Sequence, residues 1–511
     1  MIKRALPVTR EQDFAAWYQA VIAEGDLAEE SGVRGCMVIR PWGYGIWERI
    51  QRLLDDRIKA TGHENCYFPL FIPLSYFEKE AEHVEGFAKE MAVVTHHRLI
   101  GDGKGGLVPD PSAKLEEPLV VRPTSETVIG AAFARWVQSW RDLPVLINQW
   151  ANVVRWEMRT RMFLRTSEFL WQEGHTAHAS AEEAREETLK MLEVYRSFAE
   201  DCLALHVIAG EKPENERFPG AVATYSIEAM MGDGKALQAG TSHFLGTNFA
   251  SAQNIRFQNA EGGLEVANTT SWGVSTRMIG GVIMVHGDDD GLRCPPAIAP
   301  WQAVIVPMLR DQPEDAAIVS YCRALQAELA AAFALGEPIR ALLDLKPAKA
   351  ATKRWGWVKK GAPIIVEVGG RDVAGGNVSV VRRDELYRPD GKLDSRVQPR
   401  ADFVAGAGAL LEAIQAALHA QSVENVRANI VPLSDWAAVE ASFAEDQKNP
   451  GWVDVAWSRP TGAALDAVVE RLKALKLTIR NAPRGQTGQP DAPCIFTGET
   501  AVERVLIGRA Y

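Results

Sequence analysis

The chain has 511 residues, a formal net charge of −10, and 47% hydrophobic and 24% charged residues. This composition is typical of a soluble protein of about two to four domains and excludes a fibrous or low-complexity chain. No run of about twenty apolar residues could span a membrane, and the start of the chain is too charged for a signal peptide, so we expect a cytoplasmic protein without membrane contacts. The six cysteines are scattered without a close pair, which predicts reduced thiols and no cysteine-only metal site.

The N-terminal part of the chain is predicted to mix helices and strands. Apolar residues at helical spacing predict helices over 11–30, 45–63 and 182–203. Residues 236–250 alternate between apolar and small polar side chains. Residues 270–291 indicate a strand that leads into a glycine-containing helix.

A proline-rich segment, CPPAIAP at 294–300, indicates a linker to a second unit. After it come the strand AVIVPML, a helix near 315–333 and the strand PIIVEVG at 363–369, an alternation that suggests an α/β domain. The predicted helix AGALLEAIQAALHA, from about 406, opens a third unit that continues to Tyr511.

The most informative segment is a predicted strand–turn–strand between Asn152 and His175. Arginine forks pair well with phosphates, and aromatic rings can stack on a purine, so this mixture predicts a clamp for a nucleoside triphosphate. The alternative is an ordinary charged surface hairpin, which rarely combines so many aromatic side chains with arginines. The side chains concerned are Arg155, Arg159, Arg161, Arg165, Glu157, Glu168, Glu173, Trp156, Phe163, Phe169 and Trp171.

The pattern of this segment resembles motif 2 of the class II aminoacyl-tRNA synthetases. The matching residues are Val154-Arg155-Trp156-Glu157, a loop, and then Arg165 followed four residues later by Phe169. The ending WQEGHTAH and the earlier RPTSET at 122–127 are similar to prolyl-tRNA synthetases in particular. The resemblance covers roughly residues 10–405 and continues more weakly to the C-terminus.

The resemblance implies a fold and a domain organisation. The expected fold is an α+β catalytic domain built on an antiparallel sheet, an α/β anticodon-binding domain and a small α+β C-terminal domain. Motif 1 of the family forms a homodimer, although the apolar segment that matches it could equally be a core strand. The implied ranges are 1–293 for the catalytic domain, 294–300 for the linker, 301–405 for the anticodon-binding domain, 406–511 for the C-terminal domain, and about 45–75, 145–175 and 270–290 for motifs 1, 2 and 3.

The resemblance also implies residues that bind ATP. Amino-acid activation joins a carboxylate to the α-phosphate, so catalysis needs positive charge and alignment. Arg155, at the α-phosphate and the amino-acid carboxylate, and Arg277, at the γ-phosphate, are the expected catalytic residues. Mg²⁺ is expected to enter with ATP. The further ATP-binding residues are Glu157 and Phe169 at adenine, Arg165 and Thr166 at the outer phosphates, and Gln238 and Thr241 at the ribose and phosphates. A structural salt bridge for Arg277 and a packing role for LQAGTSH, the segment of Gln238 and Thr241, stay open.

A second group of residues matches the proline pocket of the family. Thr124 and Glu126 are two residues apart, which in a strand places both on one face, although a strand edge or a capping pair is an alternative. A carboxylate there suits a secondary ammonium group. We interpret His175 and His243 as pocket walls rather than general bases. The full set is Thr124, Glu126, Arg155, Trp171, Glu173, His175, His243 and Ser275.

Two departures from related enzymes carry expectations. Only residues 176–271 separate motifs 2 and 3, so the chain resembles the archaeal and eukaryotic-like branch without an editing insertion, and we expect it to activate alanine or cysteine by error. Relatives of this branch hold zinc with four C-terminal cysteines, whereas here only Cys494 is present and Thr497 replaces another. We therefore expect no structural zinc and no protein-only metal site.

Contacts with tRNA are predicted from the basic stretch between Lys346 and Lys360, which is interleaved with tryptophans. This stretch fits RNA phosphates and unpaired bases, although a solvated helix face is the alternative. The candidate readers of the anticodon are Arg354, Lys359, Glu367 and Arg371. Whether the C-terminal unit binds RNA or buttresses the dimer stays open.

The implied activity is attachment of L-proline to tRNA(Pro) through prolyl-adenylate, with ATP converted to AMP and diphosphate. A threonyl enzyme would need a cysteine and two histidines that bind zinc in the pocket, and these are missing at the corresponding places. A catalytically inactive paralogue that only binds ATP, amino acid or RNA is the remaining alternative. Such a protein should lose the arginines of motifs 2 and 3, but Arg155, Arg165 and Arg277 are all present.

Overall fold

The fold is built around a long mixed sheet that is mostly antiparallel. A computed structural model describes residues 4–78, 91–444 and 450–511, and in these residues the sheet has 11 strands. Its strands in chain order are β1 (Glu64–Asn65), β2 (Val145–Val154), β3 (Glu168–His178), β4 (Val207–Glu211), β5 (Ala223–Met230), β6 (Ala236–Gly246), β7 (Asn268–Ser275), β13 (Ile430–Pro432), β14 (Trp452–Trp457), β15 (Thr478–Pro483) and β16 (Glu503–Gly508). Their spatial order is β13-β14-β16-β15-β4-β5-β6-β7-β3-β2-β1.

Helices cover this sheet and the second unit. The longer ones are α1 (Phe14–Glu24), α2 (Pro41–Ala60), α3 (Glu126–Trp136), α4 (Ala181–Asp201), α5 (Arg277–His286), α6 (Asp315–Ala331), α7 (Ala350–Lys360), α8 (Arg400–Ala428) and α9 (Gly462–Ala474). The predicted helices at 45–63 and 182–203 are confirmed as α2 and α4. The helix predicted over 11–30 ends earlier, at Glu24, because Gly25 caps it and Asp26 adopts a positive φ of 53°.

The second unit is the predicted α/β domain. Its five-stranded sheet contains β8 (Ala303–Pro307), β9 (Ala341–Leu343), β10 (Ile364–Val368), β11 (Asn377–Arg382) and β12 (Ser395–Pro399), in the order β9-β8-β10-β11-β12. The pairs β9–β8 and β8–β10 are parallel. Strands β8 and β10 are completely buried, which explains their largely apolar sequences, and the one charged residue, Glu367, is paired with Arg354.

Helix α8 crosses the boundary that the sequence placed between the second and third units. It is continuous from Arg400 to Ala428, and its buried residues Phe403, Leu411 and Leu418 pack in the core of the α/β unit. The α/β unit therefore extends past residue 405. Among the described residues, α8 alone is long and apolar enough to cross a membrane by length and composition, which corrects the expectation that no run of about twenty residues would be. Its contribution to the α/β core accounts for that composition.

The segment 294–300 is not an exposed tether between these units. Cys294, Ile298 and Ala299 are buried in the main hydrophobic core. Arg340 of the α/β unit donates hydrogen bonds to the carbonyl oxygens of Pro296 and Ala299, at 2.9 and 3.0 Å. Because its backbone is held in this way, the segment fixes the two units against each other.

Helix α7, which carries the predicted basic stretch, lies largely in the interface between the units. The ring of Trp357 meets that of Trp42 edge-on at 5.5 Å, and Trp42 donates to the carbonyl of Lys360. Lys359 pairs with Glu24 at 2.5 Å, and Lys360 pairs with Asp26 at 2.8 Å. The two lysines at the end of α7 therefore join it to the N-terminal region, whereas Lys353 and Arg354 pair with Asp344 and Glu367 inside the α/β unit.

The C-terminal unit extends the catalytic sheet, because β15 pairs with β4. Three buried charges lie at this junction. Lys212 is 2.9 Å from one carboxylate oxygen of Glu228, and Arg480 donates to the other oxygen at 2.8 Å. Burial by itself raises the pKa of Glu228, but the charges of Lys212 and Arg480 outweigh it and hold the pKa below its usual value.

We predict that Arg480→Met lowers the free energy of unfolding by about 3–5 kcal/mol, because the carboxylate of Glu228 loses a buried partner. Urea denaturation of both proteins measures the difference. The control is Lys473→Met, which removes an exposed pair with Glu470 and should change the same quantity by only about 0–1 kcal/mol. Equal effects of the two substitutions would contradict the prediction.

Candidate active site

A cavity of about 520 Å³ lies over the middle of the long sheet. Alternation along β3 places Phe169, Trp171, Glu173 and His175 on one face of that strand. All of the residues predicted to bind ATP or proline line this cavity. They are Thr124, Glu126, Arg155, Glu157, Arg165, Thr166, Phe169, Trp171, Glu173, His175, Gln238, Thr241, His243, Ser275 and Arg277.

Glu173 is the centre of a buried hydrogen-bond network at one end of the cavity. Its Oε1 accepts hydrogen bonds from Ser125 Oγ at 2.5 Å and from Gln149 Nε2 at 2.7 Å. Its Oε2 lies 2.9 Å from Nε2 of His175. Gln149 stands directly opposite Glu173 on β2, so the sheet register brings the two together. The carboxylate is thus held in one orientation.

Thr124 and Glu126 reach the same cavity from the start of α3. The expectation that they share a strand face was wrong, because Glu126 is the first residue of that helix and Ser125 is its N-cap. The hydroxyl of Thr124 donates to the Glu126 carboxylate, but neither side chain caps a backbone N–H of the helix, so the pair is not a capping pair either. The turn nevertheless brings both side chains to the cavity.

Arg155 lies between these carboxylates and the rest of the cavity. Its Nε donates to the carbonyl of Pro123 at 2.8 Å, and its guanidinium carbon is 5.6 and 5.5 Å from the ring centres of Phe169 and Trp171. Burial lowers the pKa of Arg155, and the charges of Glu126 and Glu173 oppose this shift. The group stays protonated because arginine starts from so high a value.

Two further arginines lie in the other part of the cavity. Arg277, the first residue of α5, donates to the carbonyls of Leu164 at 3.2 Å and Gln238 at 3.4 Å. Burial, and then the nearby charges of Arg155 and Arg165, lower its pKa to about 10. The side chain of Arg165 is 50% exposed and lies 3.7 Å from Glu157. This part of the cavity is suited to anions.

The pKa values of the two histidines of the cavity, His175 and His243, shift in opposite directions. Burial alone would lower the pKa of His175, but its hydrogen bond to Glu173 and the charges of Glu173 and Glu126 raise it. Burial, assisted by the charge of His175, lowers the pKa of His243 to about 3, so this ring is neutral near pH 7. His243 packs on Phe218 at 4.8 Å, and its Nδ1 is 3.0 Å from Thr224 Oγ1.

Several lining residues were missed by the sequence analysis. Glu216, Arg217 and Phe218 lie at the end of a short 3-10 helix, Glu214–Glu216, and in the segment that follows it before β5, and no periodic pattern marks them. Thr224 faces the cavity because it lies opposite His243 in the register of β5 and β6. Alternation along β5 could have suggested it, but no charged or aromatic neighbour singled it out.

The end of the chain contacts the motif 2 loop beside the cavity. The ring of Tyr511 lies 5.3 Å from the guanidinium carbon of Arg161 and 4.9 Å from Nζ of Lys235. Its hydroxyl donates to Asp233 Oδ2 at 2.5 Å, and its backbone nitrogen donates to the carbonyl of Ala236. The C-terminal unit is thereby tied to the loop that carries the arginines.

The predicted anticodon residues lie in the α/β unit, away from the cavity. Arg354 donates to both carboxylate oxygens of Glu367 at 2.9 Å, and Lys359 pairs with Glu24. Arg371 is exposed at the start of a short helix, Gly370–Gly375. The roles of these four residues stay predictions.

Comparison with known families identifies the class. Residues 111–286 match the family described as the tRNA synthetase class II core domain (G, H, P, S and T), and residues 302–396 match the anticodon binding domain. The antiparallel catalytic sheet and its cavity are therefore those of a class II aminoacyl-tRNA synthetase.

Similar proteins narrow this assignment. The proline–tRNA ligase of Sphingomonas elodea is 76% identical over 512 residues and 100% of both chains, and that of Sphingopyxis alaskensis is 71% identical over 100% of this chain and 96% of the relative. A crystal structure of Cryptosporidium parvum prolyl-tRNA synthetase with halofuginone and AMPPNP is 34% identical, with a TM-score of 0.88 over 99% of this chain and 97% of that chain. A structure of the same enzyme with L-proline and AMP has a TM-score of 0.87, is 33% identical and has the same coverage. The chain belongs to the proline–tRNA ligase family.

Gly174 is required where β3 passes under Trp272. A Cβ atom at Gly174 would lie 2.0–2.2 Å from atoms of that indole ring. We predict that Gly174→Ala displaces β3 and lowers the free energy of unfolding by about 1–3 kcal/mol. Chemical denaturation measures this. The control is Gly406→Ala on α8, where a Cβ meets nothing within 4 Å and should be neutral or slightly stabilising. An unchanged midpoint for Gly174→Ala would refute the steric argument.

Proposed function

We propose that this protein attaches L-proline to tRNA(Pro) in two steps. Proline first reacts with ATP to give prolyl-adenylate and diphosphate, and the terminal ribose of the tRNA then attacks the adenylate and releases AMP. The observation that carries the proposal is one continuous cavity with arginines in one part and an oriented carboxylate network in the other. These are the two kinds of charge that ATP and an amino acid need.

The arginines would bind and align the reacting phosphates. Arg155 lies between the two parts of the cavity, where it can contact both the α-phosphate and the amino-acid carboxylate as they meet. Arg277 and Arg165 are placed for the outer phosphates, beside Thr166. Preorganised positive charge of this kind stabilises the charge that develops in the transition state. No side chain needs to act as a covalent nucleophile.

Adenine and ribose would occupy the remaining polar part of the cavity, near Glu157, Gln238 and Thr241. The ring of Phe169 lies beside the guanidinium group of Arg155. Adenine would stack on this aromatic ring, close to the guanidinium group. Mg²⁺ would enter as part of the MgATP substrate, held mainly by phosphate oxygens.

Recognition of proline would depend on the fixed carboxylates. Glu173 and Glu126, with Thr124, can accept the two hydrogen bonds that a secondary ammonium group offers. Trp171, His243 and Ser275 would enclose the ring. The lowered pKa of His243 favours a neutral wall there, which does not repel a cationic substrate.

Further features of the proposal follow the family resemblance. We place the protein in the cytoplasm as a homodimer, in the archaeal and eukaryotic-like branch without an editing insertion. The C-terminal unit is expected to hold no zinc, since Ser458 and Thr497 bring hydroxyl groups, which are poor zinc ligands, next to Cys494.

An inactive paralogue is the other candidate function. It is less well supported, because Arg155, Arg165 and Arg277 all line the cavity together with the carboxylates. Proline-dependent exchange of diphosphate into ATP separates the two. Exchange well above the background without proline supports the enzyme, whereas its absence under saturating substrates would favour the paralogue.

Within that assay, we predict that Glu173→Gln raises the KM for proline by roughly 10–100-fold, because a charge-assisted hydrogen bond to the ammonium group is lost. The KM for ATP should change by less than about twofold, since Glu173 lies away from the arginines of the phosphate part. The control is Glu182→Gln, an exposed residue of α4. Parallel increases in both KM values would contradict the assignment of Glu173 to the amino-acid pocket.

Alanine and cysteine are expected to support measurable exchange. Both are smaller than proline, and loss of apolar contact discriminates against them by only about 1–3 kcal/mol. In the exchange assay, we predict kcat/KM values for these amino acids that are roughly 10–200-fold below the value for proline. Undetectable exchange with both amino acids would overturn this prediction.

For the tRNA, we predict that Arg371→Glu raises the KM for tRNA(Pro) several-fold, because an exposed cation of the α/β unit becomes an anion that repels phosphate. Proline-dependent exchange, which needs no tRNA, should be unchanged. The matched control is Arg323→Glu, at an exposed position of α6. If exchange fell with aminoacylation, the substitution would be acting on the catalytic domain instead.

A further inference from the structure

Three side chains of types that can bind a metal meet at the junction of α4, β4 and α8, outside the cavity. Glu200 is near the end of α4, His206 immediately precedes β4, and His419 lies on α8. One potential ligand atom from each lies within 4.8 Å of the other two. His206 Nδ1 is 3.0 Å from Glu200 Oε1, and Nε2 of His419 contacts Glu200 Oε2.

This arrangement suits a transition metal in both chemistry and size. Two imidazole nitrogens and one carboxylate oxygen are common ligands of Zn²⁺, at about 2.0–2.2 Å from the ion. A tetrahedral ion with such bonds spaces its ligand atoms by about 3.4 Å. Small shifts of side chains would therefore be enough, and a water molecule would complete the coordination.

The surrounding backbone holds the ligands in place. The backbone nitrogen of Val207 donates to Glu200 Oε1 at 3.2 Å, and that of His206 donates to Ser422 Oγ at 2.9 Å. Such outer contacts orient ligands and support affinity.

The site is also accessible from solvent. The side chains of His206 and His419 are 31% and 36% exposed, whereas that of Glu200 is 12% exposed. An ion can thus enter without unfolding, while the carboxylate stays largely shielded from competing water.

We propose that Glu200, His206 and His419 form a structural site for a divalent transition metal of the zinc class. The ion would cross-link the catalytic domain to α8, whose other face packs in the core of the α/β unit. This proposal departs from the expectation of no protein-only metal site. His206 and His419 are far apart in the sequence, so no local motif marks the three ligands.

The test is a calorimetric titration of the full-length, chelator-treated protein with ZnCl₂ alone. The same titration is carried out on the His419→Gln variant. The wild-type protein should bind one more Zn²⁺ per chain than the variant, with the affinity of this site reduced by more than roughly 100-fold in the variant. Zn²⁺ should also raise the melting temperature of the wild-type protein, because it binds the folded state. The matched control is His97→Gln, an exposed histidine that should leave both results unchanged.

Three results would overturn the proposal. The first is that the wild-type protein has no tight Zn²⁺ site, which would mean that the three side chains form only hydrogen bonds. The second is that His419→Gln binds Zn²⁺ with the same stoichiometry and affinity as the wild-type protein. The third is that His97→Gln loses as much Zn²⁺ binding as His419→Gln. If His419→Gln is poorly folded, Co²⁺ titration of the wild-type protein replaces it, since a visible spectrum of tetrahedral nitrogen and oxygen ligation supports the site and its absence refutes it. Proline-dependent exchange tests the proposed enzymatic activity and does not depend on any of these metal-binding measurements.

Discussion

The confinement of two partly buried arginines in one cavity is the constraint on which the rest of the site depends. Burial lowers the pKa of both Arg155 and Arg277, and the charge of Arg155 lowers the pKa of Arg277 further. Such charges are tolerated only where nearby groups compensate them. Glu126 and Glu173 do this for Arg155, while backbone carbonyls accept the hydrogen bonds of Arg277. The site is thereby organised for two anionic reactants before they arrive.

The sheet holds the groups that meet this electrostatic requirement in fixed positions. Because side chains alternate along β3, one strand supplies residues to both parts of the cavity, and its neighbours β2 and β7 supply Gln149 and Ser275 in register. Gly174 leaves room for Trp272 under the same strand. The same sheet continues into the C-terminal unit, where Arg480 compensates Glu228 on β5. Catalytic and C-terminal regions therefore share one structural element.

Much of the catalytic region could be predicted from local patterns. The long helices α2 and α4, the alternating strand β6 and the strand-to-helix step at β7–α5 follow from periodicity and turn residues. Thr124 and Glu126 were correctly assigned to the cavity wall but to the wrong element, because the spacing of two residues fits either a strand or a helix start. The basic stretch on α7 was ambiguous for a related reason. Its charge is visible in the sequence, but its partners Glu24 and Asp26 lie more than three hundred residues away.

By itself, the sequence determined the family resemblance and the identity of many, but not all, of the residues that line the cavity, since motif 2 places its arginines, acids and aromatics within a single hairpin. Only the tertiary structure decided what depends on contacts between distant segments. These include the network around Glu173, the neutral environment of His243, the buried position of residues 294–300, the continuity of α8 and the meeting of His206 with His419. The physical reason is that spacing along the chain encodes the face of a strand or helix, whereas burial and partner choice are set by how those faces pack.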